Sequence, residues 1–332
     1  MFVTHQGTVP FERAAIAPEQ LSFLLCIEGN GIERQALLLC ESIRRFAGRY
    51  AGSHIVAVSP RPEVPISASS RKRLSELNVE HVDLPLNQTG STYLTINRIV
   101  AGAWAERALS TDYIVVLDSD TVFAAEPAFF CCDAGARPVD MKGSTSAGPA
   151  DPQESYWQRI CEIAGIDIEA LPWIRTTIDD VPIRASYNGG FTVVKRSCGI
   201  LQKTAEVFLA SLHADMRPLR GIALDVFAST GHVGREATEF WGSSQAALSV
   251  AISAQANELL LYDERYNVPL HLLGPGETNP VVWPACKPLL LHYHWLTQPE
   301  YRGSLLGAMS ALRISDAWLD WLTGQLDLLP VT

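Results

Sequence analysis

Asp118 and Asp120 stand two residues apart where the apolar run YIVVL (113–117) stops. Two carboxylates that close repel each other unless a cation lies between them. An oxygen-rich site of this kind suits Mg2+ or Mn2+. The plain alternative is an acidic turn after a strand, with Asp120 capping the next segment. His292 and His294 sit in a late apolar run, PLLLHYHWL (288–296). On a strand they share a face, so either could reach a metal, or both are ordinary half-buried histidines. In YNGGFTVVKR (187–196), Gly189 and Gly190 permit close backbone approach to a ligand, or else form a bulge at a strand start.

Positioning such groups takes a scaffold of alternating strands and helices. LSFLLCI (21–27) is an apolar run of strand length, broken by Glu28-Gly29-Asn30-Gly31. Ile32, Ala36, Leu39, Ile43 and Ala47 then recur at helical spacing, and Gly48 ends that helix. HIVAVS (54–59) and VEHVDLP (79–85) read as strands. Ile96, Ile99, Val100, Ala103 and Trp104 mark a helix leading into YIVVL. The pattern through residue 120 is β-α-β-(α)-β-α-β, an α/β fold with a mainly parallel sheet covered on both faces. Such sheets bind ligands beyond the carboxyl ends of their strands, where Asp118 and Asp120 lie. Beyond 120 the expectations are a strand at FTVV, a helix growing out of EFWGSSQAALSVAIS (239–253), and a strand over 288–296. LPWIRTT (171–177) reads as a loop. Helices are expected from Ser304 and from Ser315, the latter with Trp318, Leu322, Leu326 and Leu329 on one face. Residues 1–20 read as a lead-in, 21–302 as one catalytic domain and 303–332 as C-terminal helices, through which a homodimer is expected.

The chain has 332 residues, 47% of them apolar, and a net charge of −10. A sizeable core is therefore expected, and the acidic balance argues against nucleic acid or an anionic membrane as partner. A phosphorylated ligand would need a metal or a local Arg/Lys cluster. The seven cysteines show no C-x-x-C or zinc spacing, which suggests reduced thiols. The first 20 residues lack an apolar signal-peptide core, and no run approaches the roughly 18 residues of a membrane span. A cytoplasmic protein is expected.

VVLDSDTV is similar to the first motif of haloacid dehalogenase-type phosphohydrolases, with Asp118 as nucleophile, Asp120 as acid/base and IDD (178–180) imitating their distal acidic pair. About 110 residues of βα units precede it, however, whereas that motif usually sits on the first strand. Over residues 21–302 the chain more closely resembles the GT-A-fold glycosyltransferases, above all their retaining, glycogenin-like members. The residues that carry the resemblance come in order: FLLCIEGNG, TINRIVAGAWAE with Arg98, YIVVLDSDTVF, YNGGFTVVKR, SSQAALS and LLLHYHW. It departs from the family at Ser244, where an Asp would precede Gln245, and in lacking a Lys-Pro-Trp after the late histidine.

The resemblance implies a nucleotide-sugar donor, a UDP-sugar ahead of a GDP-sugar, with Mn2+ or Mg2+ and a hydroxyl acceptor. Residues 21–120 would hold the nucleotide and 121–302 the acceptor. Ile27, Glu28 and Asn30 would border the nucleoside. Arg98, Asp118, Ser119, Asp120, Gly189 and Gly190 would meet the diphosphate sugar, and Arg302 or Lys287 would take over the missing lysine's role. Metal ligands would come from Asp118, Asp120, His292 and His294, with His292 favoured by position. Asn188 would lie at the transferred sugar and Gln245 beneath its anomeric carbon. An inverting enzyme would instead need a base, for which Glu239, Glu236 and Asp225 are the candidates. A non-catalytic glycan-binding relative is the third reading.

Overall fold

The computed structural model describes residues 2–3, 13–29, 31–273, 287–310 and 312–327. Asn30 lies outside them. In chain order, β1 (Phe2–Val3) precedes β2 (Leu21–Cys26), α1 (Ile32–Phe46), β3 (His54–Ser59), α2 (Ala68–Glu76), β4 (Glu80–Asp83), α3 (Ile96–Ala108) and β5 (Tyr113–Leu117). The expected alternation is thus present, with α2 filling the uncertain slot. β6 (Thr121–Phe123), β7 (Ala134–Pro138), α4 (Glu154–Ala164), β8 (Trp173–Arg175), β9 (Pro182–Arg184), β10 (Tyr187–Lys195) and α5 (Ile200–His213) come next. The chain closes with β11 (Phe227–Ala228), β12 (Gly231–His232), α6 (Arg235–Glu239), α7 (Ser243–Gln255), β13 (Glu258–Leu261), β14 (Val268–Pro269), β15 (Leu290–His292), α8 (Pro299–Ser310) and α9 (Asp316–Asp327).

Eight strands form one sheet in the order β1-β13-β7-β10-β5-β2-β3-β4. Every neighbouring pair is parallel except those made by β10, which runs antiparallel to β5 and β7. Successive residues of β5 point to opposite faces, and both faces are dry. Val115 and Leu117 join Phe23, Leu25 and Phe191 in one core, while Ile114 and Val116 join Leu24, Val56 and Val194 in the other. This is why the strand is apolar throughout, and each fully buried aliphatic side chain contributes roughly 1.5–3 kcal/mol. The lead-in is tied to the domain at two points: β1 extends the sheet beside β13, and Ala15 bridges to Phe130.

EFWGSSQAALSVAIS becomes helical as expected, with Gly242 at φ 87° capping the start of α7. Two expectations need correction. LPWIRTT is not all loop, because β8 pairs with β9 as a short hairpin. PLLLHYHWL carries only a three-residue strand, β15, placed not in the main sheet but in a small one of order β14-β15-β6. His294 lies past its end in a left-handed conformation, φ 44°. The two histidines therefore do not share a strand face.

α8 begins at Pro299, ahead of the boundary drawn after residue 302. The apolar faces of α8 and α9 pack inward. Leu305, Met309, Trp318, Leu322 and Leu326 join Leu38, Val122, Leu291 and Tyr293 in one buried cluster. Among the described residues these helices cover the apolar face that β6 and β15 leave. No helix among the described residues is long and apolar enough to cross a membrane.

Candidate functional site

Asp118 to Thr121 form a tight turn between β5 and β6. The Thr121 amide and hydroxyl both donate to the Asp118 carbonyl, at 3.2 and 2.8 Å. Ser119 donates to the Cys26 carbonyl at 2.6 Å, fastening the turn to the end of β2. β15 pairs antiparallel with β6, with His292 opposite Thr121, and the Tyr293 amide donates to the Asp120 carbonyl at 3.0 Å. The register therefore delivers His292 beside Asp120, and the left-handed turn at His294 swings the second imidazole back to the same point. Asp120 Oδ1 lies 3.3 Å from His292 Nε2, and Oδ2 lies 3.7 Å from His294 Nε2.

Asp120, His292 and His294 each offer one ligand atom, and these atoms lie within 4.8 Å of one another. Burial works against a charged Asp120 carboxylate, but His292 outweighs it and holds the group below the usual carboxylate range. Burial likewise opposes charge on His292, and Asp120 overrides it, raising that imidazole. Burial and the neighbouring His292 push His294 down to about 4. A carboxylate and two imidazoles make a mixed oxygen and nitrogen donor set that can hold a divalent first-row ion.

Asp118 is not one of this group. Its carboxylate is ion-paired with Arg98 of α3, on a side chain only 16% exposed. Burial disfavours charge on Arg98, but Asp118 more than compensates, raising it. Gly189 is a glycine because this guanidinium lies against it, so that an added Cβ would collide with Arg98. At Gly190 the same atom would come within 3.0 Å of Asp118 Oδ2. The pairing of β10 with β7 shifts register between Tyr187 and Thr192. The Asn-Gly-Gly segment is thereby a bulge, a common device beside binding sites.

Glu28, Arg98, Asp118, Ser119, Asp120, Asn188, Gly189, Gln245, His292 and His294 all line one cleft of about 390 Å³. Glu28 is buried and held by Arg61 Nε at 3.0 Å. Gln245 occupies the first turn of α7, and the hydroxyl of its neighbour Ser244 lies 3.0 Å from that of Tyr93. Several expected residues are elsewhere. Ile27 is fully buried, its amide bonded to the Val58 carbonyl. Gly190 lies behind the lining, its amide bonded to Asn188. Glu239 is engaged by Arg217 and Arg235 outside the cleft. Glu236 meets Thr92, and Asp225 pairs with His232. Arg302 sits on α8 with Asp327 3.8 Å away, and Lys287 is exposed off the cleft.

Sequence reasoning overlooked Gln35, Tyr93, Asn97, Asp140, Lys142 and Trp241, which also line the cleft. Asp140 had a usable signal, an acidic residue just past a buried strand, the same that marked Asp118. Tyr93 and Trp241 had none, since aromatic residues at helix ends read as core. The distal acidic pair of the phosphohydrolase reading is absent from the cleft. Asp179 accepts from the Lys142 amide and Asp180 pairs with Arg175 at the surface.

The topology is that of the GT-A fold. Residues 23–219 match the model of the Rhodobacterales glycosyltransferase domain, and the chain belongs to that family. The assignment removes the phosphohydrolase reading. Among solved structures the chain is similar to the bifunctional glycosyltransferase WbbM in its apo form, at 12% identity and a TM-score of 0.50. That match covers 96% of this chain and 53% of WbbM, so the chain spans about half the length of that relative. It is also similar to the galactosyltransferase LgtC, crystallised with donor and acceptor sugar analogues, at 12% identity and a TM-score of 0.47. There the coverage is 94% of this chain and 97% of LgtC. At such identity the WbbM likeness speaks to the fold alone. No curated protein matches the chain.

Proposed function

We propose that this glycosyltransferase moves a sugar from a nucleoside diphosphate sugar to a hydroxyl acceptor, with a divalent cation, Mn2+ or Mg2+, and with retention of configuration. A UDP-sugar is the first candidate donor and a GDP-sugar the second. The observation that carries the reading is the convergence of Asp120, His292 and His294 within 4.8 Å in the cleft that also holds Arg98, Asn188 and Gln245. The first three residues would hold the cation, and Asp118, turned to Arg98, would bind donor hydroxyls or lend the metal an outer oxygen. The bound cation would supply Lewis-acid stabilisation of charge on the departing diphosphate, which a protein of net charge −10 otherwise repels. Arg98 supports the same diphosphate from a fixed, always-charged guanidinium. Residues 21–120 serve the nucleotide and 121–302 the acceptor. The metal site would draw on both halves, with Asp120 from the β5–β6 turn, His292 from β15 and His294 just past it.

Retention is supported by the state of the cleft's carboxylates. Among the described lining residues, Glu28 is held by Arg61, Asp118 by Arg98, Asp120 by the histidines and Asp140 by Asn188 and Thr177. Glu239 lies outside. With no uncommitted base, the leaving diphosphate is the best acceptor of the incoming hydroxyl's proton, and attack on the same face preserves configuration. Gln245 would stabilise the positive charge at the anomeric carbon.

Activity against a nucleotide sugar, including slow hydrolysis to free nucleoside diphosphate, should vanish in EDTA and return with Mn2+ or Mg2+. Full activity after exhaustive metal removal would sink the proposal. Proton NMR of the first product, read before mutarotation, decides the stereochemistry, and an anomer opposite to the donor's would overturn retention.

A further inference from the structure

Asn188 is the one carboxamide on the β10 bulge, and its orientation is determined by its two partners. The Gly190 amide, which can only donate, meets Oδ1 at 2.9 Å. Asp140 Oδ2 accepts from Nδ2 at 3.0 Å. The assignment of O and N is therefore not arbitrary. Among the described residues Nδ2 meets no second partner, and Asn188 lines the cleft.

Asp140 is itself rigidly set. Thr177 Oγ1 donates to its other oxygen at 2.8 Å. The Ile178 amide donates to the Asp140 carbonyl at 2.9 Å, and the preceding Val139 amide donates to the Ser186 carbonyl at 3.0 Å. Asp140 is 9% exposed and Asn188 7%. A buried carboxylate is expensive unless its lone pairs are used, and two are used here. Burial raises the Asp140 carboxyl above its usual range, and the buried Arg137 opposes that shift.

We propose that Asp140 is a positioning residue for sugar transfer: it locks the Asn188 amide so that an N–H, not the carbonyl, faces the transferred sugar. Without it the amide can rotate, and the donor offered to the sugar is lost for part of the time. The inference rests on Asn188 bordering the sugar, as the proposed function requires.

The test is a double-mutant cycle on the full chain with Mn2+ and nucleotide sugar, measuring kcat, KM and nucleoside diphosphate affinity. Asp140→Ala and Asn188→Ala should each lower kcat by about tenfold, and the double variant should fall no further than the worse single, within about twofold. Nucleoside diphosphate affinity should change by less than about twofold. Asp140→Asn separates positioning from charge, because its carbonyl can still accept from Asn188 while the charge opposite Arg137 is gone. It should keep at least about a third of kcat, and Thr177→Val should show a smaller loss that also disappears in the Asn188→Ala background. If Asp140→Ala does not fold, the Asn and Thr177→Val arms complete the cycle. Losses that multiply in the double variant, or Asp140→Asn as impaired as Asp140→Ala, overturn the proposal while leaving the site reading in place. A fully active Asn188→Ala removes both the role of Asn188 and the proposal built on it.

Discussion

At the scale of single residues, the cleft is organised by contacts too short to tolerate much change. Arg98 reaches Asp118 only because position 189 has no Cβ. Gly189→Ala should fold, since the backbone there is not left-handed, but the guanidinium must shift away from Asp118. A misplacement of about 1 Å can cost up to about a hundredfold, so kcat/KM should fall roughly tenfold to a hundredfold. An unchanged kcat/KM would mean that Arg98 takes no part. Asp120→Ala removes the one carboxylate of the candidate metal group. Metal-dependent nucleoside diphosphate binding should be lost by calorimetry, whereas Asn188→Ala should keep it. Equal loss in both would contradict the proposed division of the chain into nucleotide and acceptor halves.

At the scale of elements, the irregular second half is held by a buried charge cluster. Arg184 at the end of β9 donates to Glu154 of α4 at 3.0 Å and to Glu169 at 2.6 Å, while Ser146 also bonds Glu154. The Arg184 side chain is 2% exposed, and Glu154's is 6%. Arg184→Met strands the Glu154 carboxylate in a dry site. The expected loss is about 3–5 kcal/mol by urea unfolding. Glu169 is largely exposed, so Glu169→Ala should leave the midpoint nearly in place. Similar midpoints for both variants would show that burial is not what makes this cluster matter.

At the scale of the whole molecule, the C-terminal helices complete the site's support. Trp318 of α9 is fully buried, and its indole N–H donates to the Phe123 carbonyl at 2.8 Å. β6, which comes directly after Asp120, is thus braced from the far end of the chain. Trp318→Ala should destabilise by about 3–5 kcal/mol from cavity formation, and it should also weaken Mn2+ affinity by loosening β6 against β15. A destabilised variant with unchanged metal affinity would separate the two effects. Removing α9 entirely should unfold the protein rather than yield a stable shorter form, because Phe46, Leu38 and Val122 would lose their cover.

The βα alternation, the mainly parallel sheet and the placement of Asp118 and Asp120 at a strand's carboxyl end were readable from residue order, because hydrophobic periodicity and strand-end chemistry are local. Asp120 was nameable for the same reason, and His292 only by its position in the family resemblance. What no local pattern could decide was pairing. The late histidines read as neighbours on one strand face. They meet at Asp120 instead because β15 leaves the main sheet to pair with β6 and because His294 turns left-handed just past it. Asp118 counts as a metal ligand by its spacing, yet its carboxylate is turned to Arg98, a residue from a different element. Asp140 and Tyr93 entered the cleft unannounced. Their partners, Asn188 and Ser244, lie 48 and 151 residues away, and contacts at such separations exist only once the sheet order has closed.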